Sequence, residues 1–442
     1  MVSPATSMES FSDEGAFDVP DRWWTTFGDP DLTALVDSAL AYNMNLRTAW
    51  YRLQEARAIR KRASGSLFPS LGASGGVRTQ MPEPDQGNGE LWETGLSAEY
   101  ELDLWGRIRS SVQAEQYRLQ ASWYDYQTAA LTLSAEITRT WYRLAEARRQ
   151  VKIARNQEET NARVLELVRA RFGNGQVRRV DIMRQEQLLE GTRERRIQAE
   201  SRMQTLEHQL AILLGRPPRE KMDIQPEGLP PLPSRPAPGL PSELIQRRPD
   251  VQQAYQQIRA ADKDLAAAIS NQYPRITLSA SLSSSAADAG DLFDDWVRSF
   301  AGNLFAPVFQ GGQLRAEAAR MEAVRNQRLY AYGQSVLTAF REVEDALIRE
   351  EKQRKRIESI KNQLELARET NEQLRVAYFN GMGNYLDVLT ALENAQQLER
   401  NLLSERLVLL EYRIALHRAL AGGFGVPDEL PRIEQPEDEN EE

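Results

Sequence analysis

The chain repeats itself over most of its length. Residues 104–109, LWGRIR, return as residues 310–315, QGGQLR, and Asn174-Gly175 returns as Asn380-Gly381, 206 residues on. Earlier in the repeat Pro69 returns as Pro274, 205 residues on. A period of this size is far longer than the roughly 20 to 50 residues of a solenoid unit. The pattern therefore predicts an internal duplication, in which two similar halves form one body.

Composition excludes several functional classes. The 442 residues contain no cysteine, which excludes disulfides, cysteine-bound zinc and a thiol nucleophile. The two histidines, His208 and His417, do not occupy equivalent repeat positions, and we expect each to be solvated or hydrogen-bonded. Arginine is interleaved with glutamate and the net charge is -9, so no nucleic-acid partner is expected. With no catalytic constellation or phosphate-binding loop, we expect neither an enzyme nor a cofactor.

Most of each half has the periodicity of long helices. In the segment 312–378 the apolar residues alternate three and four apart over several heptads, which predicts a left-handed coiled-coil seam. The shorter segments add up in pairs to the length of a long one, so we expect four long-helix elements per chain. The predicted helices span residues 29–66, 106–171, 179–214, 242–271, 312–378 and 385–421.

Between the helices the hydrophobic period changes to two. Apolar residues alternate with polar ones over 92–102 and 276–283, and more weakly over 71–79 and 296–305. Strict alternation is typical of strands with two unlike faces. We therefore expect four strands, arranged as one hairpin in each repeat.

No run of about 18 apolar residues indicates a transmembrane helix, and no signal peptide is visible.

These patterns predict that the chain has five parts. The parts are an extended N-terminal segment 1–28, a first repeat 29–215 with a hairpin at about 70–103, a proline-rich linker 216–241, a second repeat 242–421 with a hairpin at about 275–306, and an acidic tail 422–442.

The strands leave two interpretations open. A small soluble hairpin packed on the helices is one. The other is a transmembrane barrel, because the acidic face of residues 92–102 favours water while its opposite face favours an apolar neighbour. Four strands cannot close a barrel, since the smallest transmembrane barrels have about eight, so two or three chains would have to associate.

Three motifs carry a resemblance to a known family. They are the opening segment 23–49, which begins Trp23-Trp24, the segment 100–109 at the end of the second strand, and residues 247–251, RRPDV. Together they resemble the TolC-like outer membrane efflux proteins, and most closely the OprM-like (NodT-type) lipoprotein branch. The resemblance covers about residues 23–422. That branch carries a lipidated N-terminal cysteine, which this chain lacks.

The resemblance implies an α+β membrane protein that acts as a homotrimeric channel-tunnel. Twelve strands would form an outer-membrane β-barrel continuous with a tunnel of twelve helices in the periplasm of a Gram-negative bacterium. The trimer would contact outer-membrane lipid and would be the passive exit duct of a tripartite multidrug pump. Its partners would be a periplasmic adaptor (membrane fusion protein) and an inner-membrane transporter of the RND, MFS or ABC class, which would select the substrate.

The resemblance also implies two groups of functional residues at the helix reversals. Reversal residues are ordinarily glycine and asparagine, and here they would in addition dock the adaptor: Gly173, Asn174, Gly175, Asn380, Gly381, Met382 and Gly383. Carboxylates after the turns are either simply favoured by the helix dipole or form an acidic ring in the tunnel. The expected periplasmic gate comprises Asp181, Asp387, Tyr378, Arg178, Arg179 and Arg184.

This gate differs from that of the family in two places. Thr390 stands where a second acidic residue is expected, and Gly383 stands where the family has arginine. In the strands, the aromatic residues expected at the membrane interface are Trp92, Tyr100, Trp296 and Phe300. Two alternatives remain for the whole protein, a soluble coiled-coil scaffold and a periplasmic adaptor.

Overall fold

The computed structural model describes residues 10–12, 19–80, 89–218, 226 and 228–420. The predicted tail 422–442 and most of the loop 81–90 lie outside the described residues, as do parts of the segments 1–28 and 216–241. Two short 3-10 helices, Trp23–Phe27 and Ala289–Asp291, accompany the main elements. The helices are α1 Pro30–Tyr42, α2 Met44–Gly65, α3 Arg107–Gly173, α4 Arg179–Leu213, α5 Pro241–Arg247, α6 Pro249–Ser270, α7 Gln313–Phe379 and α8 Tyr385–Leu420, and the strands are β1 Ser70–Gln80, β2 Gly89–Leu102, β3 Arg275–Ala286 and β4 Val297–Phe305.

The segment 29–66 is two helices, so the prediction of one helix was wrong. Asn43 has an extended backbone and separates α1 from α2. Its side chain accepts a hydrogen bond from the N–H of Leu46 at 3.0 Å and donates one to the carbonyl of Leu213 at 2.8 Å. Asn43 therefore caps the start of α2. The same side chain also bonds to the end of α4, which fixes the chain at the break between the two helices.

The segment 242–271 is divided in the same way, at Arg248 between α5 and α6. Arg248 precedes Pro249, and a residue before proline is disfavoured in the helical region. Its backbone is extended, and its guanidinium donates to the Ala419 carbonyl at 3.3 Å and pairs with Glu342 at 2.8 Å. Position 248 lies 205 residues after position 43, so both repeats break their first helix at the same place.

The two longest helices, α3 and α7, each have 67 residues. In α7 the buried side chains follow the heptad pattern of the sequence and include two polar residues, Glu350 and Gln353. The other buried residues of α7 are Val336, Ala339, Phe340, Val343, Ala346, Leu347, Ile357, Leu364 and Ala367.

The four strands form one antiparallel sheet in the order β1-β2-β3-β4. The two predicted hairpins are therefore joined to each other, because β2 pairs with β3. In this register Leu96 lies opposite Leu282 and Ala98 lies opposite Ala280. Such pairing places apolar residues of neighbouring strands on one face of the sheet. The outer edges of β1 and β4 have no partner strand among the described residues.

The chain divides into two compact units. We call residues 1–49, 126–249 and 336–442 the helical unit, and residues 50–125 and 250–335 the sheet unit. No helix within the described ranges is long and apolar enough to span a lipid bilayer.

The core of the helical unit is aromatic. The indole of Trp23 stacks on the imidazole of His417 with ring centroids 5.6 Å apart, and Phe27 contacts both His417 and Tyr142. The Trp141 side chain donates a hydrogen bond to Asp29 at 2.8 Å. These contacts join the segment before α1 to α3 and α8, so residues from both repeats share one core.

Within the sheet unit the two repeats also meet directly. The Trp105 indole stacks on Tyr273 at 5.0 Å and donates to the Pro274 carbonyl at 2.7 Å. Ser270 donates to the Trp105 carbonyl at 3.0 Å. The segment around Trp105 therefore anchors the end of β2 to the start of β3.

Candidate functional site: two helix turns and a two-faced sheet

The turns after α3 and α7 have the same hydrogen bonds. Gly175 donates to the Phe172 carbonyl at 2.9 Å and the next N–H reaches back to the Arg171 carbonyl at 3.0 Å. Gly381 donates to the Tyr378 carbonyl at 3.1 Å, and again the next N–H reaches back, to Ala377 at 2.9 Å. Both glycines have a positive φ, of 69° and 77°. These are Schellman endings, which satisfy the last carbonyls of each helix and require a left-handed residue.

Asp181 and Asp387 each lie three residues after a helix N-cap. The Asp181 carboxylate accepts the N–H of Arg178 at 3.1 Å, which is the usual way a carboxylate stabilises a helix start. Asn384 caps α8 through its own side chain instead, by accepting the N–H of Leu386 at 3.0 Å. As a result Asp181 is buried, only 4% exposed, whereas Asp387 is exposed.

Two of the three predicted arginines lie close to Asp181. The guanidinium nitrogens of Arg178 and Arg184 are each 3.7 Å from one of its carboxylate oxygens. These are ion pairs beyond hydrogen-bonding distance, and the Asp181 Oδ1 atom has no hydrogen-bond partner among the described residues. Arg179 is exposed at the first position of α4.

Tyr378 lies at the end of α7, between α3 and α8. The Arg171 guanidinium lies over its ring at 4.8 Å, and the ring of Tyr385 is 5.5 Å away. Its hydroxyl is buried and has no hydrogen-bond partner within the described part of the chain. Burial raises the pKa of Tyr378, which keeps the phenol neutral.

Sequence reasoning missed a buried polar pair beside this tyrosine. The Tyr385 hydroxyl donates to the side-chain oxygen of Gln185 at 2.7 Å, and both residues are buried. The Gln185 amide in turn donates to the Asn161 carbonyl at 2.8 Å. The sequence did contain a signal for this pair. Gln185 and Thr192 lie seven residues apart in α4, which is the spacing of residues that face a coiled-coil seam. Polar side chains in such a seam must find hydrogen-bond partners in the core.

The sheet has two chemically different faces. On one face apolar residues continue across all four strands, since Leu71 pairs with Ala98, Tyr100 with Leu278, and Ile276 with Leu304. On the other face Ser97 lies between Gly72 and Ser281, and Glu99 lies opposite Ser279. The apolar face remains exposed in the single chain: the exposed fraction is 76% for Leu71 and 70% for Leu304.

The four predicted interface aromatics differ in exposure. Trp92 and Tyr100 in β2 are half-buried, whereas Phe300 in β4 is 85% exposed. Trp296 does not belong to β4, which begins at Val297, so the predicted strand 296–305 starts one residue later. The Trp296 indole donates to the Phe293 carbonyl at 3.0 Å and is held in the loop before the strand.

Comparison with known proteins places this architecture in a family. The outer membrane efflux protein model matches residues 35–216 and 240–422, ranges that begin 205 residues apart, at 35 and 240. The pyoverdine export outer membrane protein OpmQ of Pseudomonas aeruginosa is 32% identical over 91% of this chain and 87% of its own length. The outer membrane protein OprJ of the same organism is 31% identical over 91% of this chain and 86% of its own length.

A solved structure shows the same fold. The outer-membrane channel OprN superposes with a TM-score of 0.87 at 28% identity, over 95% of this chain and 96% of that chain. The fold and the two-faced sheet are therefore those of an outer-membrane channel, and the chain belongs to the outer membrane efflux protein family. It is a conduit of the outer membrane rather than an enzyme, a soluble scaffold or a periplasmic adaptor.

Proposed function

We propose that three copies of this chain form the exit duct of a tripartite efflux pump, with a twelve-stranded β-barrel in the outer membrane and a helical tunnel of twelve long-helix elements. The observation that carries the proposal is the two-faced sheet, whose two edges have no partner strand in the described part of the chain. A row of unpaired backbone groups is a template for another strand, and a closed barrel is the arrangement that removes all edges.

The dimensions of the sheet fit a membrane wall. Its strands have 9 to 14 residues, against the roughly 9 to 11 that a tilted strand needs to cross a bilayer. The apolar face, with Leu71, Phe300 and Leu304, would contact outer-membrane lipid. The face with Ser97, Glu99 and the serines of β3 would line a wet lumen. Trp92, Tyr100, Trp296 and Phe300 would lie near the membrane interfaces.

The turns provide the second part of the proposal. Asp387 is exposed and would face a constriction of the tunnel, where three copies would form an acidic ring that favours cations. Five residues would hold the helix ends together in the closed state: Asp181 with Arg178, Arg179 and Arg184 through their charges, and Tyr378 through the contacts of its ring. Residues 173–175 and 380–383 would contact the tip of a periplasmic adaptor. An inner-membrane transporter would supply the energy and select the substrate, because the chain contains no nucleotide-binding loop.

The experiment is a mass measurement in detergent followed by conductance in planar bilayers. We expect a trimer of about 150 kDa, three times the 50.2 kDa of one chain, and discrete cation-preferring channels. The variant Asp387→Ala should reduce the preference for cations, because it removes the proposed acidic ring. A monomer that is soluble without detergent and does not conduct would refute the proposal.

A further inference from the structure

A chain of buried hydrogen bonds joins three helices of the helical unit near the turns. It begins at the Tyr385 hydroxyl, which donates to Gln185 at 2.7 Å, and continues from the Gln185 amide to the Asn161 carbonyl at 2.8 Å. The exposed fractions are 4% for Tyr385 and 0% for Gln185 and Asn161. Tyr385 is the first residue of α8, Gln185 lies in α4 and Asn161 lies in α3.

The Asn161 side chain extends the same network. Its amide nitrogen donates to the Thr192 hydroxyl at 2.8 Å and to the Gln396 side-chain oxygen at 3.3 Å. The Gln396 amide donates back to the Asn161 side-chain oxygen at 3.1 Å. This exchange leaves both amides satisfied without any charged residue. We call the five residues Tyr385, Gln185, Asn161, Thr192 and Gln396 the neutral network.

Two connections of the neutral network join the repeats, Tyr385–Gln185 and Asn161–Gln396, and Tyr385–Gln185 is the one nearer the turn after α7. Gln185 belongs to the first repeat and Tyr385 to the second, and α4 and α8 pack against each other. Farther from the turns, Arg195 of α4 and Glu393 of α8 are 3.6 Å apart, but Glu393 is 53% exposed and such pairs contribute little. Of these two polar connections between α4 and α8, the buried Tyr385–Gln185 pair is therefore the stronger.

Tyr378 is less well placed for this role. Its hydroxyl has no hydrogen-bond partner in the described ranges, and its ring contacts are with Arg171 and Tyr385. A phenol without a partner gains nothing when two helices stay together, whereas a satisfied buried pair loses a hydrogen bond when they separate.

We infer that the Tyr385–Gln185 hydrogen bond, the buried connection between α4 and α8 nearest the turns, holds the helix ends closed, and that Tyr385 is a positioning residue of the gate. This inference rests on the proposed function, since only a conduit has a closed state to hold. Opening would draw the start of α8 away from α4 and would break this bond while Gln185 remained tied to the Asn161 carbonyl of α3. The Asn161–Gln396 pair lies farther from the turns and would stay joined.

The test is the ratio of open to closed times of the reconstituted full-length trimer in planar bilayers. Tyr385→Phe removes one hydroxyl and should raise this ratio about fivefold for each protomer, because a buried hydrogen bond contributes about that factor. The matched control is Tyr142→Phe. The Tyr142 hydroxyl is buried without a hydrogen-bond partner among the described residues, so its removal should leave the ratio unchanged.

A second variant separates gating from general loss of stability. Gln185→Met removes the acceptor, and in that background Tyr385→Phe should have almost no further effect on the open-to-closed ratio. Two effects that add would show that the pair does not act as a unit and would overturn the inference. Conducting trimers in which Tyr385→Phe behaves like the wild type would refute the inference alone. A wild-type protein that forms no channel would refute the proposed function and the inference together.

Discussion

Asp181 and Asp387 show how one repeat position acquires two environments. Both follow a Schellman turn and both lie three residues after an N-cap. Asn384 caps α8 with its own side chain, which leaves Asp387 free in solvent. Arg178 has no acceptor in its side chain, so Asp181 accepts the Arg178 N–H and turns inward. The residue at the cap therefore decides which carboxylate is exposed to solvent.

His417 is the residue whose surroundings differ most from expectation. We expected it to be solvated or hydrogen-bonded, but it is fully buried and neither ring nitrogen has a hydrogen-bond partner among the described residues. Burial lowers the pKa of His417 from 6.5 to about 3, and the nearby Arg413 acts in the same direction.

We predict that His417→Phe reduces the acid sensitivity of the fold. Between pH 6.5 and about 3 the unfolded chain binds a proton at His417 that the folded chain does not bind, so the fold becomes less stable as pH falls. At pH 5 this effect is about 2 kcal/mol. Thermal unfolding midpoints at pH 8 and pH 5 should differ less in the variant. His208→Phe, at an exposed position of α4, should retain the full difference.

Glu350 and Arg413 form a fully buried ion pair, and both side chains are 0% exposed. Arg413 donates to both carboxylate oxygens at 2.8 and 2.7 Å and also to the carbonyls of Pro233 and Ser234. Burial alone would raise the pKa of Glu350, but Arg413, with Arg235 and Arg354, lowers it. The pair thus ties the linker between the repeats to α7 and α8.

We predict that Glu350→Gln destabilises the fold by about 3 to 5 kcal/mol, because it leaves the Arg413 charge buried without a counter-ion. The neighbouring residue provides the control. Glu351 pairs with Lys355 at 2.6 Å on the surface, so Glu351→Gln should change the unfolding midpoint very little. Equal losses of stability in the two variants would contradict the role assigned to the buried pair.

At the scale of elements, the long helices and the strands follow from periodicity. The predicted segment 312–378 and helix α7 Gln313–Phe379 agree to within one residue, and the buried positions of α7 keep the predicted heptad spacing. The breaks at Asn43 and Arg248 were not predicted, although Pro249 offered a signal. Each break is completed by a contact that is remote in sequence, to Leu213 or Ala419, which local pattern does not contain.

The turn after α7 supports a prediction at this scale. Gly381 has φ 77° and no atom within 4 Å of an added Cβ, so Gly381→Ala tests backbone strain alone. We expect a loss of about 1 to 2 kcal/mol in stability, the cost of the left-handed conformation for alanine. Gly333→Ala in α7 also meets no atom within 4 Å but lacks the positive φ. It should stabilise the helix, and a loss of stability from both variants would contradict the argument.

At the scale of the whole molecule, the described residues of a single chain leave the apolar face and the two edges of the sheet uncovered. Every residue of β4 is exposed, although its partner β3 is largely half-buried. An apolar face that exposes Leu71, Phe300 and Leu304 together needs a surface to cover it. In the proposed trimer, lipid would cover the apolar face, and a strand of a neighbouring protomer would pair with the edge of the sheet.

Adjacent residues of β4 test this arrangement. Phe300 lies opposite Ala280 on the apolar face, and Ser299 lies opposite Ser281 on the polar face. We predict that Phe300→Arg, near the membrane interface, costs up to about 1 kcal/mol in each protomer and reduces the amount of trimer in the outer-membrane fraction. Ser299→Arg should leave that amount near the wild-type level. The reverse order of effects would show that the lipid-facing side was assigned incorrectly.

The sequence by itself determined the duplication, the alternation of helical and strand periods, the glycine turns and the resemblance to efflux proteins. These features are local or repeat at a nearly constant offset, so a pattern of residues is enough to reveal them. Only the tertiary structure decided that Tyr385 rather than Tyr378 has a hydrogen-bonded hydroxyl, that Asp181 is buried while Asp387 is exposed, and that the hairpins join through β2 and β3. Those outcomes depend on side chains that are distant in sequence, because burial and hydrogen bonding are properties of a pair of surfaces and not of one segment.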